Sequence, residues 1–270
     1  MRTCTIGAVT IGANSPVRLM GVINCSPESF FSGSFVNTDD VRRRGEELIA
    51  QGADIIDIGA RSTAPGAPPL SVADERTRMI GALEECAGLG VAVSVDTMHP
   101  EVLEACLAFD IHAVNDISGL SDRDVAALIG DAGLPAILMA AVTRPGDAIG
   151  VEATCEALAR VVERARIAGI GEFVLDPAVG RWTEERTAPH DWDLCRQFFR
   201  FLAFDRPLLA AVSRKSFIGD LLDRPTEQRL AGSLAVTFGL ILRGASLVRT
   251  HDVGETRDLI QVIECMERNR

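Results

Sequence analysis

A chain of 270 residues with 27 Lys and Arg against 38 Asp and Glu has a formal net charge of −11, which excludes a protein that tracks a nucleic-acid duplex and needs a basic surface. At 47% hydrophobic and 24% charged residues it is ordinary globular material, long enough for one α/β barrel or two smaller domains. Its 7 cysteines are odd in number, scattered and without a C-x-x-C pair, as expected for reduced thiols in a cytoplasmic protein.

The first residues, MRTCTIGAVTIGANS, have one Arg and no sustained apolar core, so they do not read as a signal peptide. Nor does any run approach the ~18 apolar residues of a membrane span. Apolar and polar residues alternate around Gly7 and Gly12, the pattern of a short hairpin. A unit then repeats. Leu19–Ile23 reads as a strand, followed by a helix over Val41–Gln51 that Asp39-Asp40 opens and Gly52 closes. Strands over Asp54–Ile58, Val91–Val95 and Ile111–Val114 precede helices starting near Ser71, Glu101 and Arg123. Ala136–Met139 and Phe173–Leu175 follow, with helices over Val151–Gly169 and Asp191–Leu202. The seventh strand lies in Leu208–Val212, before a helix from about Pro225 to Leu242. Ser246–Val248 is the eighth, before a last helix over Glu255–Glu267. Eight strands alternating with eight helices, without a linker, predict a single (β/α)8 TIM barrel over residues 1–270 with a short N-terminal hairpin. An open doubly wound sheet is the alternative; the G-x-G-x-x-G turn that would favour it is missing.

Active sites of such barrels sit where the strands end. Those ends carry Asn24, Arg61-Ser62-Thr63, Asp96, Asn115, Met139, Asp176, Ser213-Arg214-Lys215, and Arg249 with His251. Polar groups at seven of eight ends point to a shared pocket. Asp96, Asn115 and Asp176 suit a flat heterocycle with several N–H donors. Arg249, His251 and Lys215 suit a phosphate or diphosphate, and Asn24 is a neutral oxygen ligand of the kind Mg²⁺ accepts beside one.

The order Met20-Gly-Val-Ile-Asn-Cys-Ser-Pro-Glu-Ser-Phe30, Gly52-Ala-Asp-Ile-Ile-Asp-Ile-Gly59, Ser62-Thr63, Ser94-Val-Asp-Thr97, Asn115-Asp-Ile-Ser-Gly119, Asp176-Pro177, Ser213-Arg-Lys-Ser-Phe-Ile-Gly219 and Arg249-Thr-His-Asp252 resembles the signatures of dihydropteroate synthases. The resemblance implies condensation of 6-hydroxymethyl-dihydropterin diphosphate with p-aminobenzoate on a TIM barrel, with Mg²⁺ and release of diphosphate. It implies Asp96, Asn115, Met139, Asp176 and Lys215 around the pterin. Asn24, Arg249 and His251 would hold the diphosphate, with Asn24 on the metal. Ser62, Thr63 and Ser213 would lie beside the arylamine. Lys215, Asp96, Arg249 and His251 would carry catalysis. The family is commonly dimeric, which suits the apolar Leu230–Leu242 and implies a homodimer.

Four departures stand out. The family's T-P-D-S-F-S-D-G becomes Ser26-Pro-Glu28-Ser-Phe-Phe-Ser32-Gly, and E-S-T-R-P becomes Arg61-Ser-Thr-Ala64-Pro65. G-F-G-K becomes Gly180-Arg181-Trp182-Thr183, and the usual Met-His is Met139-Ala140. The changes cluster on the arylamine side, where Arg61 and Arg181 add cations. They suggest a larger anionic arylamine, such as the ribosyl-phosphate form of the methanopterin pathway. A pterin-dependent methyltransferase acting with a corrinoid protein shares the ring-binding residues but does not need the diphosphate set. An aldolase-like barrel with a Lys215 Schiff base, and a degenerate, non-catalytic pterin-binding paralogue, are further alternatives.

Overall fold

The computed structural model describes residues 2–26, 36–62 and 68–267. Strands β1 (Thr3–Ile6) and β2 (Val9–Gly12) form an antiparallel hairpin. Eight further strands follow: β3 (Arg18–Asn24), β4 (Ile55–Gly59), β5 (Ala92–Asp96), β6 (Ala113–Asp116), β7 (Ala136–Met139), β8 (Phe173–Asp176), β9 (Leu208–Ala210) and β10 (Ala245–Thr250). All are parallel and close in sequence order, with β10 pairing back onto β3. The (β/α)8 expectation and the N-terminal hairpin are both observed.

The helices are α1 (Val41–Ala50), α2 (Val72–Cys86), α3 (Pro100–Cys106), α4 (Arg123–Ala132), α5 (Val151–Ile167), α6 (Ala188–Arg196), α7 (Ser216–Leu222), α8 (Leu230–Ile241) and α9 (Val253–Glu267). Local chemistry sets their ends. Ser71 Oγ accepts the Asp74 N–H at 3.0 Å before α2, and Asp122 accepts two N–H groups before α4, which Gly133 closes in the left-handed region. Two expectations need correction. The helix expected over Asp191–Leu202 starts earlier, because Thr187 caps it and Pro189 fits its first turn; past Arg196 the chain tightens into 3₁₀ turns. The helix expected from Pro225 begins only at Leu230, after a 3₁₀ turn over Thr226–Gln228, and a further short helix that was not expected, α7, precedes it and is closed by Asp223 at φ +51°.

Each barrel strand sends one side chain into an inner layer: Met20, Ile55, Ala92, Ala113, Ile137, Val174, Leu209 and Leu247. Cys4, Ile6 and Ile11 of the hairpin belong to the same cluster, so the hairpin stoppers the end of the barrel opposite the strand C-termini. A second, larger apolar cluster fills the space between barrel and helices. That leaves the C-terminal mouth as the open end. Close packing also fixes the helix positions: a Cβ at Gly130 on α4 would lie 2.0 Å from the Ala168 carbonyl oxygen. Gly130→Ala is therefore expected to lower unfolding free energy by about 2 kcal/mol, read by denaturant titration.

Candidate active site

Parallel register brings the strand ends level. Asn24, Gly59, Asp96 and Asn115 are successive lateral neighbours across β3 to β6. Gly59 has no side chain in this row, and a Cβ there would meet Asp96 Cβ at 3.6 Å and Asn24 Oδ1 at 3.8 Å. Above the row opens a cavity of about 390 Å³. It is lined by Asn24, Arg61, Ser62, Asp96, Asn115, Asp176, Arg181, Ser213, Lys215, Arg249 and His251, together with Trp182, Thr226 and Arg229. Eleven residues expected at the site thus share one cavity. Thr63, Glu28 and Ser32 lie outside the described residues. Met139, expected on the pocket wall, is 0% exposed and packed in the outer apolar cluster, at the register position beside Asp176.

The cavity floor is a charge network. Arg249 donates through Nε to Asp57 Oδ2 at 2.6 Å and through Nη2 to Asp96 Oδ2 at 2.8 Å. Asn115 Nδ2 donates to the same Asp57 oxygen at 3.0 Å. Asp57 is fully buried, two residues below the row on β4. Sequence reading gave it no role, although an acid inside the apolar run Ile-Ile-Asp-Ile is a signal: a buried carboxylate needs a partner. Burial pushes Asp96 up to about 7, against the pull of Arg249 and with the help of the Asp57, Glu75 and Asp116 charges. Burial likewise raises Asp176, which the nearby Lys215 and Arg249 oppose.

Lys215 stands at the other side. Its Nζ donates to the Val179 carbonyl and lies 4.9 Å from the centre of the Trp182 ring. Burial lowers its pKa to about 8, with Asp176 and Asp191 holding it up. Adjacent Arg214 does not share the cavity; it pairs with Asp252 at 2.6 Å and braces the carbonyls of Thr226 and Glu227. His251 Nδ1 lies 3.0 Å from Ser213 Oγ. Burial and the cations around it drive His251 down to about 3, so it is a neutral ring with one N–H, not a cation.

Arg61 also differs from expectation. Its Nε donates to Glu75 Oε2 at 2.6 Å and its Nη2 to the Leu70 carbonyl at 2.6 Å. Glu75 is buried on α2 and also accepts the Thr97 hydroxyl at 2.8 Å, with His99 Nδ1 3.0 Å away. The charge of Arg61 is therefore compensated, whereas Arg181 is solvent-exposed. In chemical terms the cavity offers carboxylates and an amide against cations, with an aromatic face between: a site for a flat polar ring joined to an anion.

Among the described residues, no group of three or more His, Cys, Asp or Glu side chains could hold a metal ion. No helix among them is long and apolar enough to cross a membrane.

A family model described as pterin binding enzyme matches residues 20–251. The dihydropteroate synthase of Escherichia coli (strain K12) is 35% identical over 257 residues, covering 91% of this chain and 90% of that protein. That of Mycobacterium leprae is 33% identical over 268 residues, covering 92% and 93%. Among solved structures, a dihydropteroate synthase of Coxiella burnetii in complex with pteroic acid superposes with a TM-score of 0.87 at 28% identity, covering 98% and 99%. The Xanthomonas albilineans dihydropteroate synthase with 4-aminobenzoic acid has a TM-score of 0.87 at 31% identity, covering 98% of each chain.

Proposed function

Because the chain belongs to the pterin binding enzyme family, and its relatives make it a transferase that forms a C–N bond, we propose that it joins 6-hydroxymethyl-7,8-dihydropterin diphosphate to p-aminobenzoate in folate synthesis. The observation that supports this most is the pairing, in one cavity, of the Asp96–Asn115–Asp176 acceptors with Lys215 and Arg249. The relatives' structures hold pteroic acid and 4-aminobenzoic acid, the two kinds of molecule such a cavity would accommodate.

In this reading Asp176, Asn115 and Lys215 hold the pterin edge, with Asp96 beside it. Arg249 reaches the diphosphate while Asp57 and Asp96 fix its orientation. His251, neutral and tied to Ser213, contributes a hydrogen bond and no charge. The CH₂–O bond breaks with its electron pair leaving on the diphosphate. The arylamine nitrogen then bonds to the methylene carbon and sheds a proton to solvent. The protein's part is positioning and fixed charge. Asn24, which lines the cavity, would hold Mg²⁺ beside the diphosphate, since a neutral amide oxygen is a ligand that this hard cation accepts. When bound it would neutralise charge on the leaving group.

The test is diphosphate release from the pterin diphosphate, with and without p-aminobenzoate and with and without Mg²⁺. Release that depends on the arylamine is expected. Its absence would sink the synthase reading and favour a binding paralogue; methyl transfer to a corrinoid protein would favour the methyltransferase. The larger anionic arylamine rested on Arg61 and Arg181. Glu75 compensates the first, so plain p-aminobenzoate is the better substrate in this proposal. Faster turnover of its ribosyl-phosphate form would reverse that choice.

Two ionisations should bound activity. Asp96 must be ionised to hold Arg249, so kcat/KM should fall as pH drops through about 7. Lys215 must be protonated, so it should fall again as pH rises through about 8. A pH profile of kcat/KM with a broad plateau through both values would contradict these roles.

The proposal includes a homodimer. Leu221 and Leu222 on α7 are 65% and 43% exposed and line a groove with Ile218, Gly232, Val236 and Trp192. Leu221→Glu is expected to convert a dimer to a monomer in sedimentation velocity; a wild-type monomer would end this part of the proposal.

A further inference from the structure

Behind the cavity lies a second ion pair that the reaction itself does not use. Arg186 and Asp191 are both 0% exposed, with Arg186 Nε 3.0 Å from Asp191 Oδ1. The same oxygen accepts the Gly180 N–H at 2.8 Å. Arg186 Nη1 reaches the Ala148 carbonyl at 3.4 Å. Arg186 Nη2 and Asp191 Oδ2 have no partner among the described residues. A well-packed apolar pair of similar volume would serve stability at least as well as such a buried pair. Stability alone therefore does not account for the pair.

The geometry gives it a role. The chain after β8 wraps round Lys215. Its first turn is fixed by Asp176 Oδ1, which accepts the Ala178 N–H at 2.8 Å. Its middle is fixed by Asp191 through Gly180. Between and beyond those two anchors, the Val179 carbonyl receives the Lys215 ammonium, and the Trp182 ring faces it, with Trp182 Nε1 tied to the Ala178 carbonyl at 2.9 Å. Gly180 has φ +131°, and a Cβ there would come within 2.6 Å of Lys215 Cδ and 2.8 Å of Nζ. A side chain at that position would push the lysine out of its seat.

We propose that Asp191, compensated by Arg186, is a positioning residue for Lys215: it pins the Gly180 N–H and so holds the Val179–Trp182 cradle round the lysine ammonium. The proposal rests on Lys215 serving the reaction described above. The charged or titratable groups facing the ammonium are Asp176 on β8, Asp191 and Cys195 on α6, Arg186 before α6, and Arg249 and His251 on or just beyond β10. Asp191 acts on Lys215 more strongly than Arg186 does, so removing both charges still lowers the lysine's proton affinity.

Two variants separate the two actions of Asp191. Asp191→Asn keeps an oxygen for the Gly180 N–H but removes the charge. It is expected to keep kcat/KM within about threefold below neutral pH while moving the alkaline limb down by roughly one pH unit. Asp191→Ala loses both the anchor and the charge, and kcat/KM should fall at least about tenfold at every pH. If either fails to fold, the double variant D191N/R186Q, which leaves no uncompensated charge, should show a smaller movement of the limb in the same downward direction. A second readout needs no substrate: the pH dependence of Lys215 acylation by a water-soluble amine reagent, followed by peptide mass spectrometry. Its midpoint should be near 8 in the wild type and lower in Asp191→Asn. An unmoved midpoint in Asp191→Asn overturns the inference, as does wild-type turnover by Asp191→Ala. A wild-type protein that labels as expected but releases no diphosphate would instead remove the proposed function and leave the lysine cradle standing.

Discussion

Lys215→Ala is expected to lower kcat/KM for the pterin diphosphate by about 10³ and to weaken its binding at the same time. The residue is the cation that acts most strongly on Asp176, and its ammonium is seated by Val179 and Trp182. Without it, Asp176 keeps its burial but loses its principal favourable charge, so the carboxyl should stay protonated to higher pH. A protonated Asp176 accepts hydrogen bonds poorly from an aminopyrimidinone edge. Both effects act on the ring, so KM and kcat should change together. Thermal stability should change little, because removal of a desolvated cation offsets the loss of its contacts with Val179 and Trp182. Turnover within tenfold of wild type, with unchanged pterin affinity by calorimetry, would place Lys215 outside the binding step.

The second large effect should come from Asp57→Ala. Asp57 accepts from both Arg249 and Asn115 and is itself fully buried. Removing it leaves Arg249 with Asp96 as its one carboxylate partner and deprives the Asn115 amide of an acceptor. Breaking a buried pair in this way costs about 3 kcal/mol, and the freed guanidinium should drift from its place over the diphosphate. Unfolding in urea should show the loss of stability, and kcat/KM should fall at least about a hundredfold. Asp57→Asn retains an acceptor and should recover part of the stability but little of the activity. A stability loss below about 1 kcal/mol for Asp57→Ala would mean the network is slack and Arg249 is held by Asp96 alone.

These two residues also mark how far the sequence was legible. Lys215 was visible because a cation directly after an apolar strand has no packing explanation. The strand ends were visible for the same reason, and the barrel's parallel register then made them neighbours. Asp57 was visible in principle, as an acid within four apolar-strand residues, but its partner is 192 residues away on β10 and no local pattern names it. Arg61 failed differently. As a loop cation it read as free, whereas Glu75, 14 residues on and hidden among the charges of α2, neutralises it. The Arg186–Asp191 pair has a spacing of five across a helix start, a separation that matches no periodic signal. Local periodicity decides which elements form. Which charges compensate one another is decided by tertiary contacts, and those determine what the cavity can bind.

The closing seam of the barrel has a consequence for synthesis. β10 pairs with β3 on one side and β9 on the other, and it carries Arg249 with His251 just beyond. A nascent chain emerging from the ribosome therefore exposes the edges of β3 and β9 until residues 245–250 appear. Over that interval Asp57 and Asp96 lack their common counterion. Ring closure across more than two hundred residues is slow, and open edges are where chains cross-pair. The late strand completes the hydrogen-bonded cylinder and neutralises its acidic mouth in one event, so C-terminal truncation before Arg249 should yield aggregates and no stable partial barrel.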